Sequence, residues 1–309
     1  MAKCDRCGKQ AKVFCGYGPH AFCQDHFLHF FEKRVRRTIR TNKLIKKGEK
    51  IAIGLSGGKD STTVLFLLNK IFKHTNKIEA IIIDEGIPNY REKAIKTAVQ
   101  NCKRWKIPFH IVSFQERFGF RMTEVMKKTG EAKRIGSTCS FCGVFRRRLL
   151  NETAKAIGAG KIATGHNLDD ECQSIAMNLF DADLSRMARL GAIVSFDEKN
   201  FVPRIKPLYE TPEAEIIAFA DFNHLKHFSR ESCCPFKWQA KRNWFRKMLN
   251  DAEAEFPGTK YKILQSFKQL KPRIAEFAKK QIAGYCKQCG APLPGEKCVA
   301  CEQLKKLNS

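Results

Sequence analysis

The stretch Ile51-Ala52-Ile53-Gly54-Leu55-Ser56-Gly57-Gly58-Lys59-Asp60-Ser61 decides how this chain is read. A short apolar run stops at Ser-Gly-Gly, and a helical pattern then continues through Val64, Leu65, Leu67 and Leu68. That order predicts a strand, a tight loop and a helix. Two glycines let backbone N–H groups approach an oxyanion closely, and the helix N-terminus adds its positive end. Lys59 offers charge to a phosphate, while Ser56 and Ser61 offer hydroxyl donors. The Gly-x-x-x-x-Gly-Lys-[Ser/Thr] spacing is absent, so this is no Walker loop. The plainer alternative is a glycine turn capped by Ser or Asp.

Working outward, apolar runs recur at Ala80-Ile81-Ile82-Ile83, Phe109-His110-Ile111-Val112 and Lys161-Ile162-Ala163-Thr164, with helical patterns between them. Short buried strands alternating with helices predict an α/β fold with a mostly parallel sheet covered on both faces. Ligands of such sheets bind beyond the carboxyl ends of the strands. From residue 211 the pattern is largely helical. Composition divides the chain into a Cys/His-rich finger (1–27), a basic linker helix (28–47), the strand–helix domain (48–235), a helical region (236–283) and a Cys-rich end (284–309). In the linker, Phe27, Phe31, Val35 and Ile39 recur every four residues and predict an apolar stripe under a cationic face.

The chain carries 57 Lys plus Arg against 31 Asp plus Glu, a net charge of +26 over 309 residues. An excess of this size favours a polyanionic partner, nucleic acid before acidic membrane. The charge is concentrated in Lys33–Lys50 and in Arg146-Arg147-Arg148. No apolar run approaches the ~20 residues that span a bilayer. The start lacks an apolar h-region, so we expect a cytoplasmic protein without a secretion signal. Fourteen cysteines in that compartment suggest metal rather than disulfides. Cys4, Cys7, Cys23 and His26 form a Cys₃His set, and Cys286, Cys289, Cys298 and Cys301 a Cys₄ set. Both suit tetrahedral, structural Zn²⁺. Cys15 and His20 lie inside the first loop and are left out. Cys102 and Cys172 sit in apolar helical patterns and read as core. Cys139-x-x-Cys142 taken alone reads as half a zinc site, a redox dithiol or half an iron–sulfur site.

Ser56-Gly57-Gly58-Lys59-Asp60-Ser61 resembles the Ser-Gly-Gly-x-Asp-Ser loop of the pyrophosphate-loop ATPases, which attach AMP to a substrate oxygen and hold the departing pyrophosphate. Cys139-Ser-Phe-Cys142-Gly143, Thr164-Gly165-His166-Asn167-Leu168-Asp169-Asp170, Cys234-Pro235 and the two terminal Cys sets then follow in the order of that superfamily's tRNA 2-thiolation branch. The resemblance covers nearly the whole chain. Cys142-Gly-Val-Phe-Arg146-Arg147 and Met177-Asn178-Leu179 are similar to the archaeal and eukaryotic subgroup acting on the wobble uridine, position 34. A neighbouring subgroup acts on position 54 of the T-loop.

The resemblance implies an adenine nucleotide alpha hydrolase-like domain flanked by zinc modules. It implies a [4Fe–4S] cluster on Cys139, Cys142 and Cys234, with Cys233 an extra thiol beside the third ligand. A persulfide carried and resolved by the same thiols is the competing chemistry. It further implies ATP with Mg²⁺ at Gly54, Ser56, Gly57, Gly58, Lys59, Asp60, Ser61, Asp84, Arg146, Gly165 and Asp170, with Lys59 and Asp60 also catalytic. A helix cap explains the strand-end Asp84 equally well. Asp169 and Asp170 read as groups that orient Mg²⁺ or the base, and a solvated first helical turn explains them almost as well. The implied partners are tRNA, ATP and a sulfur donor (sulfide, a ubiquitin-like thiocarboxylate carrier or a cysteine desulfurase), with a homodimer as assembly. The rival from another class is a zinc-finger RNA-binding protein whose nucleotide fold is degenerate. The intact loop argues against it.

Overall fold

In the strand that leads into Ser56-Gly57-Gly58, Ile51 and Ile53 face one side and Ala52 the other, so each strand residue feeds one of two cores. The computed structural model describes residues 2–131, 138–195, 201–228, 241–279, 284–288, 292–293 and 298–308. The central sheet consists of β3 (Lys50–Gly54), β4 (Lys77–Asp84), β5 (Phe109–Ser113), β6 (Lys161–Ala163), β7 (Ile193–Val194) and β8 (Arg204–Ile205). Its order is β5-β4-β3-β6-β8-β7, parallel except for β7 against β8. From β3 the chain builds first toward β4 and later, through β6, in the opposite direction. The topological switch therefore lies between β3 and β6, where a crevice opens beyond the strand ends.

One face is covered by α1 (Gln24–Thr41), α2 (Lys59–Phe72), α3 (Arg91–Trp105), α7 (Leu168–Phe180), α8 (Leu184–Ala188), α9 (Glu213–Phe222), α10 (Arg242–Glu255) and α11 (Thr259–Lys279). The other is covered by α4 (Phe114–Phe118), α5 (Met122–Glu131) and α6 (Thr138–Ala156), where Phe114, Phe118, Phe120, Phe141 and Phe145 form an aromatic cluster. An N-terminal hairpin, β1 (Val13–Cys15) and β2 (His20–Phe22), precedes α1. Near the C-terminus lie the paired strands β9 (Gly284–Tyr285) and β10 (Pro292–Leu293), then α12 (Val299–Asn308). No helix among the described residues is long and apolar enough to cross a membrane.

The linker helix differs from its expected span of 28–47. It starts at Gln24, so His26 lies in its first turn, and it stops at Thr41. Its apolar stripe is as expected, with Phe27, Phe31, Val35 and Ile39 buried and Phe31 stacked on Phe219 of α9 at 4.2 Å. The stop has a physical cause. Leu44 N–H donates to Ile39 O and Lys43 N–H to Arg40 O, with Lys43 at φ +50°. This is a Schellman turn that buries Leu44 beside Ile39. The basic residues from Lys43 to Lys50 therefore do not continue the helix.

Arg34 is also not on the cationic face. It turns inward, 2.7 Å from Glu215 of α9, with Tyr17 donating to the same carboxylate. Cys15 packs beside that carboxylate at 3.8 Å, and burial, reinforced by Glu215, pushes its thiol up to about 11. Cys15 thus belongs to the core. Cys102 and Cys172 are fully buried as well.

Truncating one partner of the Arg34–Glu215 pair strands a desolvated charge. Arg34→Ala is expected to cost about 3 kcal/mol, read as a lower urea midpoint. Arg34→Met combined with Glu215→Leu should recover most of that loss.

Candidate active site

The phosphate loop is tied to itself and to its surroundings. Ser56 N–H donates to Ser61 Oγ at 3.1 Å, the two serine hydroxyls lie 2.9 Å apart, and Ser61 Oγ donates to Gly58 O. From outside, Arg91 Nη1 donates to Ser56 O at 2.7 Å and Phe228 N–H to Gly57 O at 2.8 Å. Gly57 has φ +87°, and a Cβ there would meet Ala94 O at 2.3 Å. Only glycine satisfies both the conformation and the contact. Helix α2 begins after Gly58 with no side-chain cap, so its first N–H groups keep their capacity for an anion.

Across the switch point, Thr164-Gly165-His166-Asn167 leaves β6 and presses on the start of α2. A Cβ on Gly165 would stand 2.7 Å from Ser61 N, so the two loops meet backbone to backbone. Asn167 Nδ2 donates to Asp60 Oδ1 at 3.0 Å, and Asn167 and Asp170 form a capping box at the head of α7. Asp169 and Asp170 therefore part company. Asp169 is buried, pairing with Lys260 of α11 and accepting the Glu213 N–H at 2.7 Å. Asp170 faces the crevice, where burial raises its carboxyl to about 6 and nearby Asp60 and Glu213 add to the effect against Arg242.

Lys59 is clamped between Asp60 (2.9 Å) and Glu213 (2.7 Å). Burial alone would depress its ammonium, but the two carboxylates outweigh that and hold its pKa above the ordinary lysine value. Glu213 was invisible to sequence reading, because its role exists only where α9 meets α2. His166 lies open to the crevice, where desolvation and then Lys206, Arg242, Arg204 and Arg146 hold its pKa far below the usual value.

At the end of β4, Asp84 Oδ1 accepts from Gly86 N at 2.8 Å and closes a turn. The neighbouring Glu85, which the sequence did not single out, is the junction of the site. Its buried carboxylate lies 2.7 Å from Arg91 Nε and 3.0 Å from Arg146 Nε. Arg91 holds the phosphate loop, and Arg146 stands one turn beyond Cys142 on α6. Cys139 and Cys142 occupy the first turn of α6 at three-residue spacing, which places them on one face. Desolvation raises the Cys139 thiol pKa. Cys233 and Cys234 lie outside the described residues. Phe228, docked on Gly57, is six residues ahead of Cys234.

The terminal Cys sets are distant from this crevice in sequence. The ligand atoms of Cys4, Cys7, Cys23 and His26 all lie within 4.8 Å of one another, including Cys7 Sγ to Cys23 Sγ at 3.7 Å. A tetrahedral metal with bonds of about 2.3 Å sets its sulfurs about 3.8 Å apart, so the set fits such an ion. Against desolvation, backbone N–H groups of Cys23, Arg6 and Cys7 bring the Cys4 thiol down to about 6. Cys286, Cys298 and Cys301 converge likewise, with Cys286 and Cys301 sulfurs 3.7 Å apart. Cys289 lies outside the described residues.

A PP-loop domain model matches residues 27–253, which contain every element of this crevice. The chain belongs to the PP-loop family of tRNA 2-thiolation proteins. It is 37% identical to Cytoplasmic tRNA 2-thiolation protein 1 of Drosophila mojavensis, over 98% of this chain and 87% of that one. It is 34% identical to tRNA 2-thiolation protein NcsA of Haloferax volcanii, over 99% of each. Among solved structures, the U34-tRNA thiolase NcsA from Methanococcus maripaludis, described with its [4Fe–4S] cluster, superposes with a TM-score of 0.84 at 33% identity. That match covers 99% of this PP-loop chain and 97% of the other.

Two outcomes test this geometry. Gly57→Ala should weaken ATP binding more than tenfold by calorimetry, because the methyl forces the loop from Ala94. Gly58→Ala, whose Cβ meets only Ser56 Oγ at 3.6 Å, should leave the fold intact. For Asp170, the folded pKa is raised, so its ionisation costs stability from about pH 4 upward and in full above about 6. The melting temperature of Asp170→Asn relative to the parent should therefore climb between pH 4 and pH 7, then level off.

Proposed function

We propose that this chain is an ATP-dependent tRNA-uridine 2-thiolase acting on the wobble uridine in the cytoplasm. The observation that carries the reading is the Glu85 junction. Through Arg91 and Arg146, one buried carboxylate couples the loop that grips phosphates to the helix that presents Cys139 and Cys142. Adenylation and sulfur delivery need that proximity, because one base must meet both.

Uracil O2 leaves poorly as it stands. Its attack on the α-phosphorus of ATP forms the O–P bond and breaks the bond to the β-phosphate, releasing pyrophosphate. Ser56, Gly57, Gly58, Ser61 and Lys59, with the open N-terminus of α2, would hold the departing phosphates, and Mg²⁺ would complete their neutralisation beside Asp60 and Asp170. Gly54, Asp84, Arg146 and Gly165 complete the proposed nucleotide site. Hydrosulfide then attacks C2, and the C2–O bond breaks with both electrons leaving on AMP. The hydrosulfide proton passes to solvent, so no oxidant is consumed.

Cys139, Cys142 and Cys234 would hold a [4Fe–4S] cluster, which supplies an iron open to exogenous sulfide when three cysteines bind it. Cys4, Cys7, Cys23 and His26 would hold one Zn²⁺, and Cys286, Cys289, Cys298 and Cys301 a second. Sulfide or a thiocarboxylate carrier is the proposed donor, and a homodimer the proposed assembly.

Anaerobic, iron-reconstituted protein given ATP, Mg²⁺, sulfide and unmodified tRNA should place sulfur at position 34, mapped by nuclease digestion and mass spectrometry. Cys142→Ala should abolish it. Sulfur at position 54 would overturn the choice of nucleotide, and tRNA binding without thiolation would favour an RNA-binding protein. Metal analysis should give two zinc ions per chain, falling to one in Cys4→Ser.

A further inference from the structure

Arg147 of α6, Arg189 at the end of α8 and Arg204 of β8 come from three separate elements and gather beside the cysteine turn. Arg147 folds back along its helix, so that its Nη1 lies 3.3 Å from where a Cβ on Gly143 would stand. Gly143 directly follows Cys142. Arg204 is in register with Ile162 of β6, and Ile162 packs into the core on the α6 side. Register partners share a face, so Arg204 projects toward α6 as well. Arg189 closes α8 just before β7, whose Val194 pairs with Arg204.

Nearby cations are already neutralised. Arg146 pairs with Glu85, Arg186 with Asp183 and Lys206 with Glu171. Arg147, Arg189 and Arg204 have no ion pair or hydrogen bond among the described residues. Their mutual proximity shows in their titration. Burial and then Arg146, Arg186 and Arg189 lower the Arg147 pKa, while burial and then Arg147 bring Arg204 down to about 10. Asp183 acts on Arg189 and the Cys142 thiol on Arg147, but among the described residues like charge prevails around Arg147 and Arg204. Guanidiniums crowded in this way in a partly desolvated crevice destabilise the free protein, and an anion relieves that cost.

The geometry points to a phosphodiester subsite: Arg147, Arg189 and Arg204 grip the RNA backbone at the nucleotide whose base is being thiolated. This rests on the thiolase reading. Planar guanidiniums bind phosphate oxygens bidentately. ATP phosphates have their own loop at the head of α2, whereas Arg147 reaches back to the residue after Cys142, with Arg189 and Arg204 beside it. A base reacting beside Cys142 is covalently joined to its own ribose and phosphates, so the backbone must pass here. Contacts of this kind fix register without reading sequence.

The test uses full-length holoprotein with Arg147→Gln, Arg189→Gln and Arg204→Gln, singly and combined. Each variant should weaken binding of unmodified tRNA about tenfold. The slope of log K against log salt should shrink by about 0.7–0.9 for each phosphate that is no longer neutralised. Calorimetric affinity for a non-hydrolysable ATP analogue should not change. In the absence of RNA, Arg147→Gln and Arg204→Gln should each melt at a higher temperature than the parent, because a repelled charge has gone. A merely structural arginine would do the opposite. Uridine 3′,5′-bisphosphate should compete with tRNA better than uridine does on the parent, and lose that advantage on the triple variant.

Lower melting temperatures with unchanged tRNA affinity would overturn the subsite while leaving the thiolase reading in place. An equal loss of ATP-analogue binding would reassign the arginines to the nucleotide, and stabilisation by sulfide or inorganic phosphate with an unchanged tRNA salt slope would make this a small-anion site. A parent protein that binds no tRNA at all would overturn both readings.

Discussion

The phosphate loop is held from behind. Gly57 adopts a left-handed conformation against the Ala94 carbonyl, Arg91 pulls on the Ser56 carbonyl, and Phe228 N–H caps the Gly57 carbonyl. These contacts occupy carbonyl oxygens and leave N–H groups at the head of α2 facing the crevice. Because the loop is fixed before any phosphate arrives, little reorganisation is needed on binding, and electrostatic stabilisation is most effective under that condition. The remaining parts of the site take their positions from this loop. Gly165 packs against it, Asn167 bonds Asp60, and Glu213 reaches Lys59.

Charge in the crevice is arranged in two zones. Around Lys59, carboxylates from α2, α7 and α9 balance the cations, and the segment through Lys260 and Arg242 ties α10 and α11 to the same network. Among the described residues around the cysteine turn, the balance is broken in favour of arginine. On the proposed function, the first zone would take a metal-bound triphosphate, whose charge arrives partly neutralised. The other suits a bare polyanion. Glu85 lies between them, and its two ion pairs hold α3 and α6 in a fixed relation to the strand ends.

The N-terminal finger is anchored differently. Arg34, Tyr17 and Glu215 form a buried polar cluster between the hairpin, α1 and α9, and Phe31 on Phe219 adds aromatic packing. The N-terminal hairpin is therefore part of the main core, and its Cys₃His set sits at the rim of that core. A chain with net charge +26 that fastens an arginine inward at this point keeps its remaining α1 cations for the surface.

The sequence by itself determined the elements whose signal is local. Strand–loop–helix around Ser56-Gly57-Gly58, the apolar stripe of α1, the Cys₃His spacing and the core character of Cys102 and Cys172 all follow from residue type and period. These features depend on neighbours a few positions away, which a sequence displays directly. Tertiary structure alone decided the rest. Asp169 and Asp170 are adjacent and chemically alike, yet one is committed to Lys260 and the other opens to the crevice, because α11 packs on only one side of α7. The Schellman turn at Lys43 ended a helix whose basic pattern continued. Glu85, Glu213 and Arg204 acquire their roles from partners 61, 154 and 57 positions away (Arg146, Lys59 and Arg147), and no local pattern encodes such distances. Electrostatic interaction falls with separation in space, and only the folded chain sets that separation.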